Sequence, residues 1–103
     1  MVFIDYCGLK IQLTESVWIE HIKSAHPEIA ENDLASTLSE PDEVWVSQKR
    51  KDVELYYKKK ISSSQEKNRY WLVVVKKIPT GNFVSSAMTK STVVGSTLIF
   101  KKM

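Results

Sequence analysis

Apolar and polar residues follow two different patterns along the chain, and the change comes near Pro41. Before it, Trp18, Ile22 and Ala25 recur at helical spacing, and a sparser apolar stripe follows them. After it, apolar residues occupy every second position or short continuous runs, which is typical of β-strands. The pattern therefore predicts helices in the first part of the chain and a sheet in the remainder.

Two helices are predicted between residues 14 and 40. The first is expected from about residue 15 to about residue 25, behind a threonine that can cap its N-terminus. Pro27 would break a continuous helix but fits the first turn of a new one, and Pro41 ends the second helix. His26 is therefore predicted to lie at a junction between helices.

Strands joined by short polar turns are predicted on both sides of the helices. Residues 1–13 predict a short hairpin or one bent strand. Residues 42–101 predict an antiparallel meander, because short polar connections separate its apolar runs. The expected strands are Glu43–Ser47, Val53–Ile61, Tyr70–Val75, Phe83–Thr89 and Thr97–Phe100, with a loop at residues 62–68. The sequence thus predicts one α+β domain over residues 1–103, with two N-terminal helices packed on one face of a four- to five-stranded antiparallel sheet.

Composition limits the class of protein. The chain has 103 residues, 43% of them hydrophobic and 26% charged, as expected for one globular domain. Its single cysteine, Cys7, cannot form an intrachain disulfide and is typical of a reducing compartment. The longest apolar runs are far shorter than the ~20 residues that span a bilayer, and no signal peptide is expected. We therefore expect a cytoplasmic protein without membrane contact.

Charge is distributed unevenly along the chain. Lys and Arg number 15 against 12 Asp and Glu, which gives a net charge of +3. Most acidic residues precede residue 49, whereas the basic runs follow it, at Lys49–Lys51, Lys58–Lys60, Lys76–Lys77 and Lys101–Lys102. An anionic partner for this half is one interpretation, and a solvated lysine-rich sheet surface is the other.

Both histidines lie in the stretch IEHIKSAHPEI. The sequence has no glycine-rich phosphate loop, no CxxC and no HExxH, and no convincing third ligand accompanies the histidines, so neither a metal nor a cofactor is expected. Helical spacing would place His21 and His26 about 140° apart. His21 is interpreted as part of the helix body. His26 is the candidate general acid or base, and a junction hydrogen bond is its alternative role.

The predicted sheet supplies cations, rings and hydroxyl groups. Alternation places Tyr56, Lys58 and Lys60 on one face of their strand and Tyr57 and Lys59 on the other. Phosphates bind such cations and bases stack on such rings, although exposed strand lysines often have no function.

Two further candidates come from the following strands. Lys76 ends the central strand, where a lysine is less expected than on an edge. The strand Phe83–Thr89 carries small hydroxyl groups, including Ser86 and Thr89, which can donate hydrogen bonds but are often fillers.

Taken in chain order, these motifs resemble the phage and mobile-element nuclease domains called PBECR, of the barnase–EndoU–colicin–RelE-like superfamily. The resemblance rests on Trp18…His21-Ile22…His26-Pro27-Glu28, Leu38…Pro41-Asp42…Val44, Tyr56-Tyr57-Lys58, Tyr70…Val73-Val74-Val75-Lys76 and Phe83-Val84…Ser86-Ala87-Met88-Thr89. It covers nearly the whole chain after Thr14. The family implies a two-helix, four-stranded α+β fold and metal-independent cleavage of RNA.

The resemblance also implies roles for individual residues. The family's helix-junction histidine falls on His26, its tyrosine and basic residue on Tyr57 and Lys58, and its hydroxyl-bearing strand on Ser86 and Thr89. Ser86 replaces the expected threonine and keeps a hydroxyl group. Met88 replaces the expected aromatic residue and removes a ring for base stacking.

We therefore expect an endoribonuclease that cleaves RNA by acid/base transesterification, as a toxin or mobile-element effector. The expected catalytic residues are His26, Lys58, Ser86 and Thr89, and the expected substrate-binding residues are Tyr57, Lys60 and Lys76. An immunity protein or antitoxin is an expected further partner. Two alternatives stay open: a non-catalytic RNA-binding module of the same fold, and a small protein-interaction domain.

Overall fold

The computed structural model describes residues 1–60 and 69–103. In this part of the chain, seven strands form one sheet that is accompanied by two helices. The strands are β1 (Val2–Ile4), β2 (Lys10–Gln12), β3 (Glu43–Val46), β4 (Val53–Lys59), β5 (Tyr70–Ile78), β6 (Gly81–Lys90) and β7 (Thr97–Lys101). The helices are a π-helix (Val17–Lys23) and α1 (Glu31–Ser39). The strand order across the sheet is β1-β2-β6-β5-β4-β3-β7.

The predicted architecture, two helices on a four- to five-stranded antiparallel sheet, was wrong in the number and direction of its strands. β2 runs parallel to β6, with Gln12 opposite Phe83, so the N-terminal hairpin extends one edge of the sheet. β7 extends the other edge by pairing with β3 and not with β6. The described sheet is therefore seven-stranded and mixed. The alternation within a strand indicates which side chains share a face, but it does not indicate which distant strand will be the neighbour.

The individual strands after Pro41 lie where the alternation predicts them. β3, β5, β6 and β7 each begin within two residues of the expected position. β4 begins at Val53 as expected, but its expected end at Ile61, and the expected loop at residues 62–68, lie outside the described residues. The prediction was therefore sound for local structure and wrong for the long-range pairing.

The first helix has π-helical hydrogen bonding. The Ser24 N–H donates to the carbonyl of Ile19, five residues earlier, at 3.2 Å. Ile22 is its fully buried residue and joins the core, and the helix packs against β6. The second helix begins at Glu31 and not directly after Pro27. The junction that contains His26 is consequently longer than expected.

The two faces of the sheet have different surroundings. Both helices pack on one face, which we call the helix face; we call the other the open face. Residues opposite each other on neighbouring strands share a face. The helix face carries the core residues of β3, β4, β5 and β6, namely Val44, Tyr56, Val73, Val75, Val84 and Ala87. The core therefore lies between the helices and the middle strands.

The turn between β1 and β2 reaches across the helix face towards the opposite edge of the sheet. The Tyr6 ring lies 4.5 Å, centroid to centroid, from the ring of Phe100 in β7. The Tyr6 N–H donates to the carbonyl of Leu38 in α1 at 2.9 Å. Because β1 and β7 are the two edge strands, these contacts show that the sheet curls around α1.

A buried carboxylate holds this turn in place. One oxygen of Asp5 accepts hydrogen bonds from the N–H groups of Cys7 and Leu9, both at 2.9 Å, and the other accepts from the hydroxyl of Tyr56 at 2.8 Å. Three donors make the burial of a carboxylate tolerable. Burial, followed by the hydrogen bond to Asp5, raises the pKa of Tyr56 above its ordinary value, so the phenol stays protonated and keeps donating.

We expect Tyr56→Phe to lower the free energy of unfolding by about 1–3 kcal/mol, because one donor to the buried Asp5 carboxylate is lost. Urea unfolding followed by circular dichroism measures the change. Tyr70→Phe is the matched control, since Tyr70 is partly exposed and its hydroxyl is not part of this buried network. Equal losses in the two variants would contradict the role of the Tyr56–Asp5 bond.

A second prediction concerns Thr37, a fully buried residue of α1 whose hydroxyl oxygen has no hydrogen-bond partner among the described residues. Thr37→Val replaces the hydroxyl with a methyl group of similar size. We expect the free energy of unfolding to rise by about 1 kcal/mol, because a desolvated polar group is removed. Thr80→Val, at an exposed turn, is the control. A destabilised Thr37→Val variant would indicate that the hydroxyl is bonded in solution.

Candidate nucleic-acid interface

Four lysines line one surface depression where β4 ends. Its lining residues are Asp42, Lys58, Lys59, Lys60 and Lys102, and we call it the lysine depression. Among the described residues that line it, four ammonium groups against one carboxylate give it a positive charge, as a phosphate-binding surface requires. β4 and the residue after it supply three of these lysines, and the residue after β7 supplies the fourth.

Asp42 ties the elements around the depression together. Its N–H donates to the Tyr57 carbonyl and its carbonyl accepts from the Lys102 N–H, both at 2.8 Å. Its carboxylate accepts from the Lys59 N–H at 2.6 Å. The Lys58 ammonium group donates to the carbonyl of Glu40, at the C-terminal end of α1, at 2.8 Å. The partial negative charge at a helix C-terminus favours a cation in this position.

A row of three side chains on the helix face adjoins the depression. Lys58 of β4, Trp71 of β5 and Thr89 of β6 are consecutive cross-strand partners. The ammonium group of Lys60 lies 5.7 Å from the centroid of the half-buried Trp71 ring. Aromatic rings stack with nucleobases while neighbouring cations hold the backbone. The row and the depression together form a surface with the chemistry of a nucleic-acid interface.

His26 lies in the junction between the π-helix and α1. Its side chain is 34% exposed, and its Nδ1 lies 3.5 Å from a carboxylate oxygen of Glu28. The ammonium group of Lys23 donates to the carbonyls of Pro27 and Ile29 at 2.8 and 2.9 Å, and these bonds fix the backbone that follows the histidine. A neutral imidazole whose Nδ1–H faces a carboxylate presents Nε2 as its proton acceptor. This arrangement is compatible with acid/base chemistry.

Three of the predicted site residues lie on the open face. Tyr57 is opposite Leu72, Ser86 is opposite Val74, and Lys76 is opposite Phe83. These positions alternate along their strands with the positions whose side chains lie on the helix face. The sheet therefore separates these residues from Lys58 and Thr89. The predicted group does not converge on a single reacting atom.

Helix α1 also separates two residues that were expected to act together. His26 precedes the first turn of α1, whereas Lys58 contacts the residue that follows its last turn. The nine residues of this helix span about 13 Å. The junction of His26 and the contact made by Lys58 therefore lie at opposite ends of α1.

Tyr57 is 1% exposed, so its ring is covered. Its hydroxyl donates to the carbonyl of Val94 at 2.9 Å and accepts from the N–H of the same residue at 3.3 Å. Burial raises the pKa of Tyr57, partly opposed by the bond to Val94. A substrate can reach this phenol only if the segment around Val94 moves.

Sequence reasoning missed four residues of this surface, namely Asp42, Lys59, Trp71 and Lys102. Lys59 and Lys102 belong to basic runs that are visible in the sequence, but their meeting depends on β7 pairing with β3. Trp71 lies in a run that is apolar on both faces, so its position beside Lys60 had no local signal. The omission of Lys102 follows from the wrong strand order, because the meander did not place β7 beside β3.

The described residues, 1–60 and 69–103, contain no group of three or more His, Cys, Asp or Glu side chains arranged to hold a metal ion. In the same residues, neither helix is long and apolar enough to cross a membrane.

A family model described as "phage-Barnase-EndoU-ColicinE5/D-RelE like nuclease2", or PBECR2, matches residues 1–101. The chain belongs to this family. The resemblance inferred from the motifs is thereby confirmed, and the protein is a nuclease domain. Comparisons with curated proteins and with solved structures found no significant match. This PBECR2 domain thus combines a sheet with two different faces and a cationic depression at the end of that sheet.

The depression leads to a prediction about Lys102, which sequence reasoning did not select. We expect Lys102→Gln to weaken binding of single-stranded RNA about as much as Lys60→Gln does, and to reduce the steepness of the salt dependence by about one charge. Fluorescence anisotropy over a salt series measures both quantities. Lys51→Gln, at the exposed turn between β3 and β4, is the control. An identical salt slope in all three variants and the wild type would remove the depression from the interface.

Proposed function

We propose that this nuclease domain is a metal-independent endoribonuclease. The lysine depression beside Trp71 is the observation that supports a nucleic-acid substrate most directly, because cations and a stacking ring occur together. RNA is favoured over DNA on chemical grounds. Its 2′-hydroxyl is an internal nucleophile, so a proton-transfer group and cations are sufficient for cleavage.

The proposed reaction is transesterification at a backbone phosphate. The 2′-oxygen loses its proton to a base and forms a bond to phosphorus, while the bond from phosphorus to the 5′-oxygen breaks and that oxygen gains a proton. The products are a 2′,3′-cyclic phosphate and a 5′-hydroxyl. We assign one of the two proton transfers to His26, whose Nδ1 lies near Glu28.

In this proposal, the role of the lysines differs from that of His26. Because His26 and Lys58 belong to opposite ends of α1, the lysine depression would bind a phosphate farther along the strand than the scissile one and position the strand. Thr89 lies in the row that leads from the depression along the helix face, where it can donate a hydrogen bond to the backbone. Ser86 and Lys76 lie on the open face and stay predictions as site residues.

The description of the family also bears on the cellular role. The description of the family as phage nucleases supports a mobile-element effector or toxin that acts on RNA in the cytoplasm. A nuclease of this kind needs an inhibitor where it is made, so we propose an immunity protein or antitoxin as its partner.

We expect the purified domain to cleave RNA in the presence of EDTA and His26→Ala to reduce the rate by at least about 100-fold. His21→Ala is the matched control, because His21 is exposed on the π-helix and is expected to leave the rate within about twofold. Gel assays with end-group analysis measure both the rate and the cyclic phosphate.

Each of the following outcomes would favour a different function or mechanism. Undiminished cleavage by His26→Ala would remove His26 from the mechanism. Salt-dependent RNA binding without cleavage by the wild type would favour the non-catalytic RNA-binding module, and the absence of both would favour a protein-interaction domain. Cleavage that EDTA abolishes would contradict the metal-independent mechanism.

A further inference from the structure

The connection between β6 and β7 crosses the open face. β5, β4 and β3 lie between these two strands in the sheet, yet residues 91–96 join them. We call these residues the strap. Val94 bonds to the hydroxyl of Tyr57, an open-face residue, so the strap runs over this side of the sheet. Because β6 and β7 are not neighbours in the sheet, the strap has to cross the sheet, and it covers part of the open face.

Close contacts hold the strap on the sheet. The Tyr57 hydroxyl bonds to both backbone groups of Val94, and the Ser96 N–H donates to the Val46 carbonyl at 2.8 Å. A Cβ added to Gly95 would lie 2.4 Å from the Cβ of Trp45, so the backbone approaches as closely as a glycine permits. The Val94 side chain, in contrast, is 53% exposed.

The strap covers one cross-strand row. Tyr57, Leu72 and Met88 are consecutive partners on β4, β5 and β6, and the first two are 1% and 5% exposed although no described helix covers their face. Val74 and Ser86, in the next row of the same face, are half-buried. Met88 is half-buried as well, so Tyr57 and Leu72 form the covered end of a row that is apolar apart from one phenol.

The lysine depression adjoins this covered row. By strand alternation, Lys59 lies on the open face, in a row with Tyr70 and Lys90. This row is next to that of Tyr57, and the rings of Tyr57 and Tyr70 lie 6.3 Å apart in an edge-to-face arrangement. Lys59 also lines the depression. A strand bound there can therefore continue over Lys59 towards the strap.

We propose that the strap is a cover that opens while the sheet stays folded, and that a nucleobase of the bound RNA then occupies the row of Tyr57, Leu72 and Met88. The base-binding part rests on the proposed function. An apolar row that ends in an aromatic ring offers a base a stacking surface. Tyr57 closes the cover because its hydroxyl bonds the strap, and its ring becomes available to the base when the strap leaves.

Tyr57→Phe tests the cover because it removes the bonds to Val94 and keeps the ring. Amide hydrogen exchange by NMR is measured at Ser96, which bonds Val46 and not Tyr57, and at Val73 in the core as a reference. We expect Ser96 exchange to accelerate about tenfold in Tyr57→Phe with Val73 unchanged. Thr92→Val, an exposed change within the strap, should alter neither. Ser96 and Val73 responding equally would overturn the cover, because opening would then be global unfolding.

RNA affinity tests the second part of the proposal. If opening precedes base binding, Tyr57→Phe should bind a short single-stranded RNA about threefold more tightly than the wild type, since less free energy is spent on opening. Unchanged or weaker binding alongside faster Ser96 exchange would overturn base binding and leave the strap a structural tie. No binding by any variant would overturn the proposed function, while the exchange measurement would still decide whether the strap is a cover.

Discussion

One buried hydrogen bond, from the hydroxyl of Tyr56 to the carboxylate of Asp5, connects the N-terminal turn to the middle of the sheet. The same carboxylate shapes the turn through two backbone N–H groups, so the turn and its attachment depend on one residue. The turn carries Tyr6 to the carbonyl of Leu38 and to the ring of Phe100. It therefore holds α1 against β4, and the end of α1 in turn supplies the carbonyl that Lys58 contacts.

The same bond explains why the inner face of β4 was difficult to predict. Alternation along β4 places Val53, Leu55 and Tyr57 on one face, and this face is more apolar than the other. The helices nevertheless cover the face of Tyr56, whose partner Asp5 lies 51 residues away in the sequence. A strand with apolar side chains on both faces does not indicate which face the helices will occupy. The buried partner of Tyr56 is a distant polar residue that the alternation does not reveal.

Much of the local structure was predictable, whereas the assembly of the site was not. The alternation correctly separated Lys58 and Lys60 from Tyr57 and Lys59, because the side-chain period of a strand is two. The pairing of β3 with β7 and of β2 with β6 has no signal within either strand. The pairing of β3 with β7 brings Lys102 to the depression and requires the strap over Tyr57. The site residues predicted from the sequence are therefore placed on opposite faces of the sheet, or covered, by contacts between distant strands that no sequence motif indicates.

The division into two faces does not require two unrelated sites. Lys58 and Lys60 approach the lysine depression from the helix face, whereas Lys59 approaches it from the open face. The end of β4 is thus a place where one bound phosphate can be contacted by cations from both sides of the sheet. From there, one direction leads along Trp71 and Thr89 on the helix face, and the other leads over Tyr70 to the strap. A substrate as long and as flexible as single-stranded RNA is suited to such a branching surface, because successive nucleotides can follow different faces while the depression holds the backbone between them.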